Sequence, residues 1–330
     1  MRRALVGSAA VLMLALVGCA SGGGVTEAGT DGMGSPDSDT GTDTDAFAID
    51  QDFPDPDVLE VDGAYYAYAT NGAGFNVQVA RSDDLAEWEV LGADALPQLP
   101  AWALGGKTWA PDVSELAPGV FVMYFTAASA TPQAQCIGVA TSIGPEGPFV
   151  PADGGPIVCP PDEGGAIDPA TFVDDDGSRS LVWKNDGNCC GLDTWLQIAG
   201  LSDDGLSLVG APTRLLMQTE DWEGDLIEAP TLVKRDGVYV LLYSANDYGG
   251  DSYATGYATA PTLLGPYTKA DGPLLTTGIS DGRYLGPGGQ DVVTAPDGSD
   301  VLVFHSWDSL FIERGVNVVP LGWHAGVPTL

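Results

Sequence analysis

Three acids far apart in the chain stand at the same kind of local signal. Asp55 immediately precedes Pro56, Asp168 immediately precedes Pro169, and Glu228 lies two residues before Pro230. Carboxyl groups crowded into one pocket titrate apart, one holding its proton while another ionises. Such a pair protonates a leaving oxygen on one side of a bond and activates water on the other, the chemistry that breaks a glycosidic linkage. An isolated Asp-Pro is ordinarily a turn start. The acids can act together only if the fold brings them to one place, so the elements around them decide the matter.

Those elements repeat. Five openings, at Pro56, Pro111, Pro169, Pro230 and Gln290, follow one another at spacings of 55, 58, 61 and 60 residues. Six or seven positions after each comes a tight-turn dipeptide: Asp62-Gly63, Pro118-Gly119, Asp176-Gly177, Asp236-Gly237 and Asp297-Gly298. Apolar runs flank each one, the pattern of a β-hairpin. β-Rich segments follow at 64–70, 121–126, 180–184, 238–244 and 301–306, with a third run in most units at 77–82, 137–142, 195–201 and 253–259. A regular period of this length built from short strands predicts an all-β fold, a five-bladed β-propeller in a single domain, in preference to a sandwich with evenly spaced strands. In a propeller the innermost strands surround one channel, and their leading ends converge on one mouth. Asp55, Asp168 and Glu228 would meet there from blades one, three and four. The fifth unit has its third run at 316–323 and is expected to borrow a strand from residues 47–50.

Residues 1–46 read differently. Met1-Arg2-Arg3 is a basic head, and 4–17 is a mostly apolar run too short to span a bilayer comfortably, so residues 1–18 are expected to be a secretory signal. Leu16-Val17-Gly18-Cys19 resembles the bacterial lipobox. That resemblance implies lipidation at Cys19 and an exported protein anchored at the cell surface or the periplasmic face of a membrane. Residues 19–46, rich in Gly, Ser, Thr and Asp, read as a flexible tether, and 47–330 as the propeller.

The chain carries a formal net charge of −34. It would be repelled by nucleic acid and by anionic membrane surfaces, which leaves a neutral ligand and a membrane association through the lipid anchor alone. Beyond Cys19 there are four cysteines, Cys136, Cys159, Cys189 and Cys190, an even number that suggests two disulfides in an exported protein. Sequence leaves the pairing open. Cys136 with Cys159 is the preferred bond, with Cys189 and Cys190 either joined to each other or divided between partners. A zinc site is disfavoured, because paired Cys-x-x-Cys knuckles are lacking and there are only two histidines.

At the openings the chain resembles glycoside hydrolase family 43, five-bladed propeller enzymes acting on arabinose- and xylose-containing plant polysaccharides. The matching stretches are Phe53-Pro54-Asp55-Pro56-Asp57, Trp109-Ala110-Pro111-Asp112, Ile167-Asp168-Pro169-Ala170, and Trp222-Glu223-Gly224 running into Ile227-Glu228-Ala229-Pro230. Tyr243-Ser244-Ala245-Asn246 and Gly286-Pro287-Gly288-Gly289-Gln290 add to them, so that the resemblance covers residues 50–330. It implies that Asp55 is the general base activating water, Glu228 the general acid, and Asp168 a third acid that raises the pKa of Glu228 and orients it. It also implies inversion at the anomeric carbon, with acid and base roughly 6.5–9.5 Å apart. The implied activity is release of arabinofuranosyl or xylosyl units from a neutral polysaccharide or oligosaccharide by a monomer. An α-L-arabinofuranosidase or exo-acting arabinanase comes first, and a β-xylosidase second. The alternatives are a non-catalytic surface propeller that binds sugar, which would not need all three acids, and a retaining enzyme acting on fructosides, whose openings match less well.

Around this centre, Trp109, Trp222 and Phe75 are candidate stacking residues for a sugar face, each with inter-blade packing as the competing role. Arg283 is a candidate donor to substrate hydroxyls. No cofactor is required for this hydrolysis, but the resemblance implies a structural Ca2+ near His305. Gly289 departs from the endo-arabinanase pattern, which places histidine after Gly-Pro-Gly. Asp57 reads as a turn cap, and Asp174-Asp175-Asp176-Gly177 as hairpin-turn chemistry rather than a metal loop. Specificity is expected to reside in the segments 94–107, 187–193 and 219–226.

Overall fold

Each repeat folds as a four-stranded antiparallel sheet whose strands meander outward in chain order. The computed structural model describes residues 47–330. The first sheet contains β1 (Asp57–Val61), β2 (Ala64–Ala69), β3 (Gln78–Ser82) and β4 (Trp88–Val90), and the second β5 (Ala103–Ala117), β6 (Val120–Ala130), β7 (Gln133–Ser142) and β8 (Val150–Pro151). The third has β9 (Ala166–Val173), β10 (Arg179–Asn185), β11 (Trp195–Leu201) and β12 (Leu208–Met217), and the fourth β13 (Ile227–Arg235), β14 (Val238–Ala245), β15 (Ala254–Ala260) and β16 (Thr268–Lys269). The fifth is β17 (Leu285–Thr294), β18 (Asp300–Trp307), β19 (Arg314–His324) and β20 (Val327–Thr329). The innermost strands β1, β5, β9, β13 and β17 touch in turn, and β17 returns to β1, closing a five-bladed β-propeller.

The turn dipeptides set the hairpins, and their spacing from the openings has a local cause. Asp62-Gly63 and Asp236-Gly237, six residues past their openings, have positive φ at both positions, 53° and 83° in the first and 53° and 78° in the second. This is the two-residue turn whose twist matches a hairpin. Where the spacing is seven, the extra residue is absorbed locally. At Asp176-Gly177 and Asp297-Gly298 only the glycine is left-handed, and the loop closes one step wider, Asp174 with Ser178 and Ala295 with Ser299. At Pro118-Gly119 the strand bulges between Glu115 and Ala117 instead. Asp174-Asp175-Asp176 is turn chemistry as expected, with Asp174 accepting hydrogen bonds from Lys234 Nζ at 2.8 Å and the Tyr239 hydroxyl at 2.6 Å.

The core is five clusters, one at each junction of neighbouring sheets. Both faces of a blade are therefore covered, and its strands read as continuous apolar runs rather than alternating ones. Along β14, Val240 and Leu242 pack toward blade five while Leu241 and Tyr243 pack toward blade three. Truncating a fully buried leucine such as Leu241 to alanine costs about 2–5 kcal/mol. The fifth blade is completed from both ends of the domain. Ile49 bridges Val316 on β19, with Ala48 N–H donating to Val316 at 2.8 Å, while β20 covers the other end of β19 at 322–324.

Two backbone features recur around the channel. The residue just before each opening is left-handed: Asp55 (φ 55°), Ala110 (41°), Asp168 (53°), Ala229 (47°) and Gly289 (57°). For a residue with a Cβ this conformation costs about 1–3 kcal/mol, and it persists only where surroundings enforce it. One position past the opening, a side chain reaches the next blade. Asp57, Asp112 and Asp291 accept hydrogen bonds from Val113, Thr171 and Val58 N–H at 2.8, 2.9 and 2.9 Å, and the Thr231 hydroxyl donates to Gln290 O at 2.6 Å. Asp57 is thus not a cap on its own turn, because the amide within its reach belongs to blade two. Burial pushes Asp112 up to about 7, Asp291 up to about 6, and Asp57 well above the carboxylate range, where repulsion from Asp112 and Asp291 adds to it.

Candidate active site

The leading ends of the inner strands open into a cavity of about 550 Å³ whose lining includes Asp55, Asp168 and Glu228. The fold therefore brings together the three acids singled out from the sequence. Each is held differently, and each is reached by at least one group from another blade.

Asp55 is fixed through its backbone and one carboxyl oxygen. Its N–H donates to His305 Nδ1 at 3.0 Å, and the Thr70 hydroxyl donates to Asp55 Oδ2 at 2.7 Å. The same hydroxyl accepts Ala110 N–H at 2.9 Å, so one threonine supports the left-handed residues of blades one and two. His305 is fully buried and its ring stacks on Tyr253 with centroids 5.8 Å apart. Burial, and then the charge of Arg314, hold its pKa well below the ordinary histidine value, so the imidazole is neutral. Gly289 explains the departure noted in the sequence. A Cβ there would lie 2.6 Å from His305 Nδ1 and 2.8 Å from Asp55 Oδ1, so the glycine makes room for a histidine supplied by β18.

Glu228 is 9% exposed and clasped from two sides. Lys184 Nζ donates to Oε2 and the Tyr253 hydroxyl donates to Oε1, each at 2.9 Å. Lys184 lies on β10 and is completely buried. Burial alone would discharge it, but the charges of Glu228 and Asp168 win and its pKa is raised. Burial and then Glu228 push the Tyr253 phenol well above its usual value, which keeps it a donor.

Asp168 donates its N–H to Thr126 Oγ1 at 3.1 Å and accepts Ala229 N–H at 2.9 Å, reaching the left-handed residue that follows Glu228. Burial, then repulsion by Glu228, push its carboxyl up to about 8, with Lys184 opposing and Asp55 adding to the push. Glu228 and Asp168 thus share one buried ammonium, and burial beside Glu228 favours the protonated form of Asp168. A cavity holding an activatable proton opposite a hydrogen-bonded carboxyl is equipped for acid–base hydrolysis.

The remaining expectations divide. Trp109 lines the cavity. Trp222 does not: its ring stacks on Tyr243 at 6.0 Å and lies over Gly256, where a Cβ would come within 2.5 Å of it. The space left by that glycine lets the indole bury itself between strands. Phe75 is half-buried in the loop bridged from Gly72, and Arg283 lies over the Tyr284 ring at 5.2 Å; neither is among the lining residues. Of the three segments expected to carry specificity, two reach the cavity, through Asn188, Cys189 and Leu226, and 94–107 contributes none of its lining. Cys136 is bonded to Cys159, and Cys189 to its neighbour Cys190, which sets a vicinal disulfide at the cavity wall. The proposed signal at 1–18, the lipidation of Cys19 and the tether at 19–46 lie outside the described residues.

Sequence reasoning missed Lys184, Tyr253 and Arg314, all of which line the cavity. Lys184 did carry a signal. The chain has 12 lysines and arginines, and this one directly ends the apolar run Leu181-Val182-Trp183. A calcium at His305 is not supported by the donor set. Nδ1 accepts Asp55 N–H, so the neutral ring carries its proton on Nε2, a buried donor that finds no partner among the described residues and suits an acceptor rather than a cation. Among the described residues no group of three or more His, Cys, Asp or Glu is placed to hold a metal ion.

Comparison with known proteins agrees with this geometry. Residues 48–328 match the family model of the glycosyl hydrolases family 43. The chain is similar to a beta-D-galactofuranosidase of Aspergillus niger, 27% identical over 77% of this chain and 73% of the relative, and to extracellular endo-alpha-(1->5)-L-arabinanase 1 of Bacillus subtilis, 25% identical over 83% and 86%. Among solved structures it resembles an endo-1,4-beta-xylanase from Bacteroides thetaiotaomicron, with a TM-score of 0.73 and 30% identity over 86% of this chain and 95% of that one.

Proposed function

The chain belongs to glycosyl hydrolases family 43 and is a glycoside hydrolase; from that premise we propose that it is an inverting, exo-acting enzyme that releases arabinofuranosyl units, an α-L-arabinofuranosidase or exo-arabinanase. The observation that carries the reading is the convergence of Asp55, Asp168 and Glu228 on one cavity from three blades. Asp55, oriented by Thr70 and His305, accepts the proton of the attacking water. Glu228 delivers a proton to the leaving oxygen. Asp168, whose protonated form burial favours, accepts the amide that follows Glu228 and assists that acid's protonation, and Lys184 keeps the remaining charge tolerable in a buried site.

Arabinose specificity is favoured by the relatives. Beside the Bacillus subtilis arabinanase, the chain is 27% identical over 76% of its length, and 54% of the relative's, to an extracellular exo-alpha-(1->5)-L-arabinofuranosidase of Streptomyces avermitilis. Both relatives are named as extracellular. Export is supported by these names and by the two disulfides, and anchoring through Cys19 rests on the lipobox-like sequence alone. A β-xylosidase is the second reading, favoured by the likeness to the xylanase structure.

The test is hydrolysis of aryl α-L-arabinofuranoside, aryl β-D-xyloside, linear arabinan and arabinoxylan by the protein, with the first-formed anomer read by proton NMR. Release of arabinose with inverted configuration is expected. Xylose release alone selects the second reading, and a retained anomer overturns the assignment of Asp55 as a base acting on water.

A further inference from the structure

Blades four and five together carry a run of rings outside the acid cluster. Arg314 lines the cavity, and its guanidinium carbon lies 5.0 Å over the Tyr248 ring and 5.4 Å over the Trp307 ring. Trp307 in turn packs on Phe311 with centroids 6.0 Å apart. The indole N–H of Trp307 donates to Tyr248 O at 2.7 Å, which fixes the order of the stack. Tyr248, Arg314, Trp307 and Phe311 therefore form one continuous ledge leading out of the cavity.

The loop at its outer end is built to hold its shape. Asp308 Oδ1 accepts Ile312 and Glu313 N–H at 2.6 and 3.1 Å, and Phe311 N–H donates to Asp308 O at 3.1 Å. Phe311 itself is left-handed, with φ 55°, a conformation that disfavours any residue with a Cβ. Strain in the core would be explained by burial. Here the strained residue is 41% exposed, and Tyr248 is 52% exposed. A rigid, exposed apolar patch continuous with a cavity marks a binding surface.

We propose that this ledge binds the sugar residues of a neutral glycan on the leaving-group side of the bond that is cut. This rests on the reading of the cavity as the hydrolytic site. The C–H face of a sugar ring stacks on an aromatic ring, and the guanidinium at the junction donates to hydroxyls. A net charge of −34 disfavours an anionic occupant, and continuity with the cavity selects a chain that is already threaded into it.

The test compares Phe311→Ala and Phe311→Gly with the unaltered protein on aryl α-L-arabinofuranoside and on arabino-oligosaccharides of two to six units, or the xylose counterparts if those are the substrates. For the unaltered protein kcat/KM rises with chain length. Both variants lose about fivefold or more of kcat/KM on the longest oligosaccharides, mainly through KM, and change less than about twofold on the aryl glycoside, whose single aglycone ring stops short of Phe311 at the outer end of the ledge. Phe311→Gly also relieves the left-handed strain and does not lower Tm, so a loss in that variant is not a folding defect. Equal losses on all substrates, or none on any, overturn the proposal. If the unaltered protein cleaves nothing, the hydrolytic reading fails, and calorimetric binding of the same oligosaccharides decides the ledge: binding weakened by Phe311→Ala supports it, and no binding overturns it.

Discussion

The channel carries two tiers of carboxyl groups on the same five-fold frame. Asp55 and Asp168 occupy the left-handed position before an opening, with Glu228 one residue earlier still, whereas Asp57, Asp112 and Asp291 stand one residue after an opening. The two tiers are buried alike and differ in what they are bonded to. Each lower acid accepts a backbone amide of the next blade. In the upper tier Glu228 is held wholly by side-chain donors, Asp55 by Thr70, and only Asp168 takes a backbone amide, while all three carboxyls line the open cavity. Burial of an acid is therefore not what marks it for chemistry here. The mark is a set of side-chain partners around a cavity that admits substrate.

Substitutions in each tier break this comparison in opposite ways. The largest effect is expected from Asp55→Asn, which keeps the hydrogen bond from Thr70 but removes the base; kcat falls by about 10²–10⁴-fold on every substrate, with Tm unchanged. Steady-state kinetics beside thermal melts check it. Asp168→Asn removes the group that titrates at about 8, so the alkaline limb of the kcat/KM profile moves to lower pH and kcat on glycans falls. A pH–rate series with the limb unmoved would separate Asp168 from proton supply.

Smaller changes belong to the lower tier. Asp112→Ala leaves Thr171 N–H without its acceptor and is expected to cost about 1–3 kcal/mol in urea unfolding while leaving kcat of the folded protein within about twofold. A pH series sharpens the contrast further. Asp112 and Asp291 titrate at about 7 and about 6 when folded, above the unfolded carboxylate value of about 3.9. The folded state binds these protons more tightly, so their contribution to stability is complete below about pH 4 and is lost as pH rises through about 6–7. Asp112→Asn, which does not titrate, flattens that decline, and unfolding free energies between pH 4 and pH 8 measure it.

Much of this was legible in the sequence, because the propeller writes its period into openings and turns. Prolines fix φ and glycines permit left-handed turns, so the openings stay visible in four blades and the turns in all five, and the acids beside Pro56, Pro169 and Pro230 were located with them. The partners were not. Lys184 and Tyr253 are 44 and 25 residues from Glu228, the one on a second strand and the other just before a third, where no motif announces them. Trp222 shows the converse. An aromatic residue beside a catalytic motif reads as a sugar platform, yet Gly256, in another strand, decides that the ring packs on Tyr243 instead. The fifth opening has Gln290 in place of proline because its side chain is needed across the blade junction, donating to Ala229 O at 2.7 Å.

The division of labour between the tiers is tested most directly by Glu228→Gln, assayed on a natural arabino-oligosaccharide and on an aryl α-L-arabinofuranoside with an excellent leaving group. Glutamine keeps the shape of the side chain and cannot deliver a proton. Turnover of the oligosaccharide is expected to fall by about 10²–10⁴-fold, with a much smaller loss on the activated aryl glycoside, whose leaving group needs little protonation. Wild-type turnover of the oligosaccharide by this variant would contradict the assignment of Glu228 as the acid and, with it, the chemical role of the upper tier.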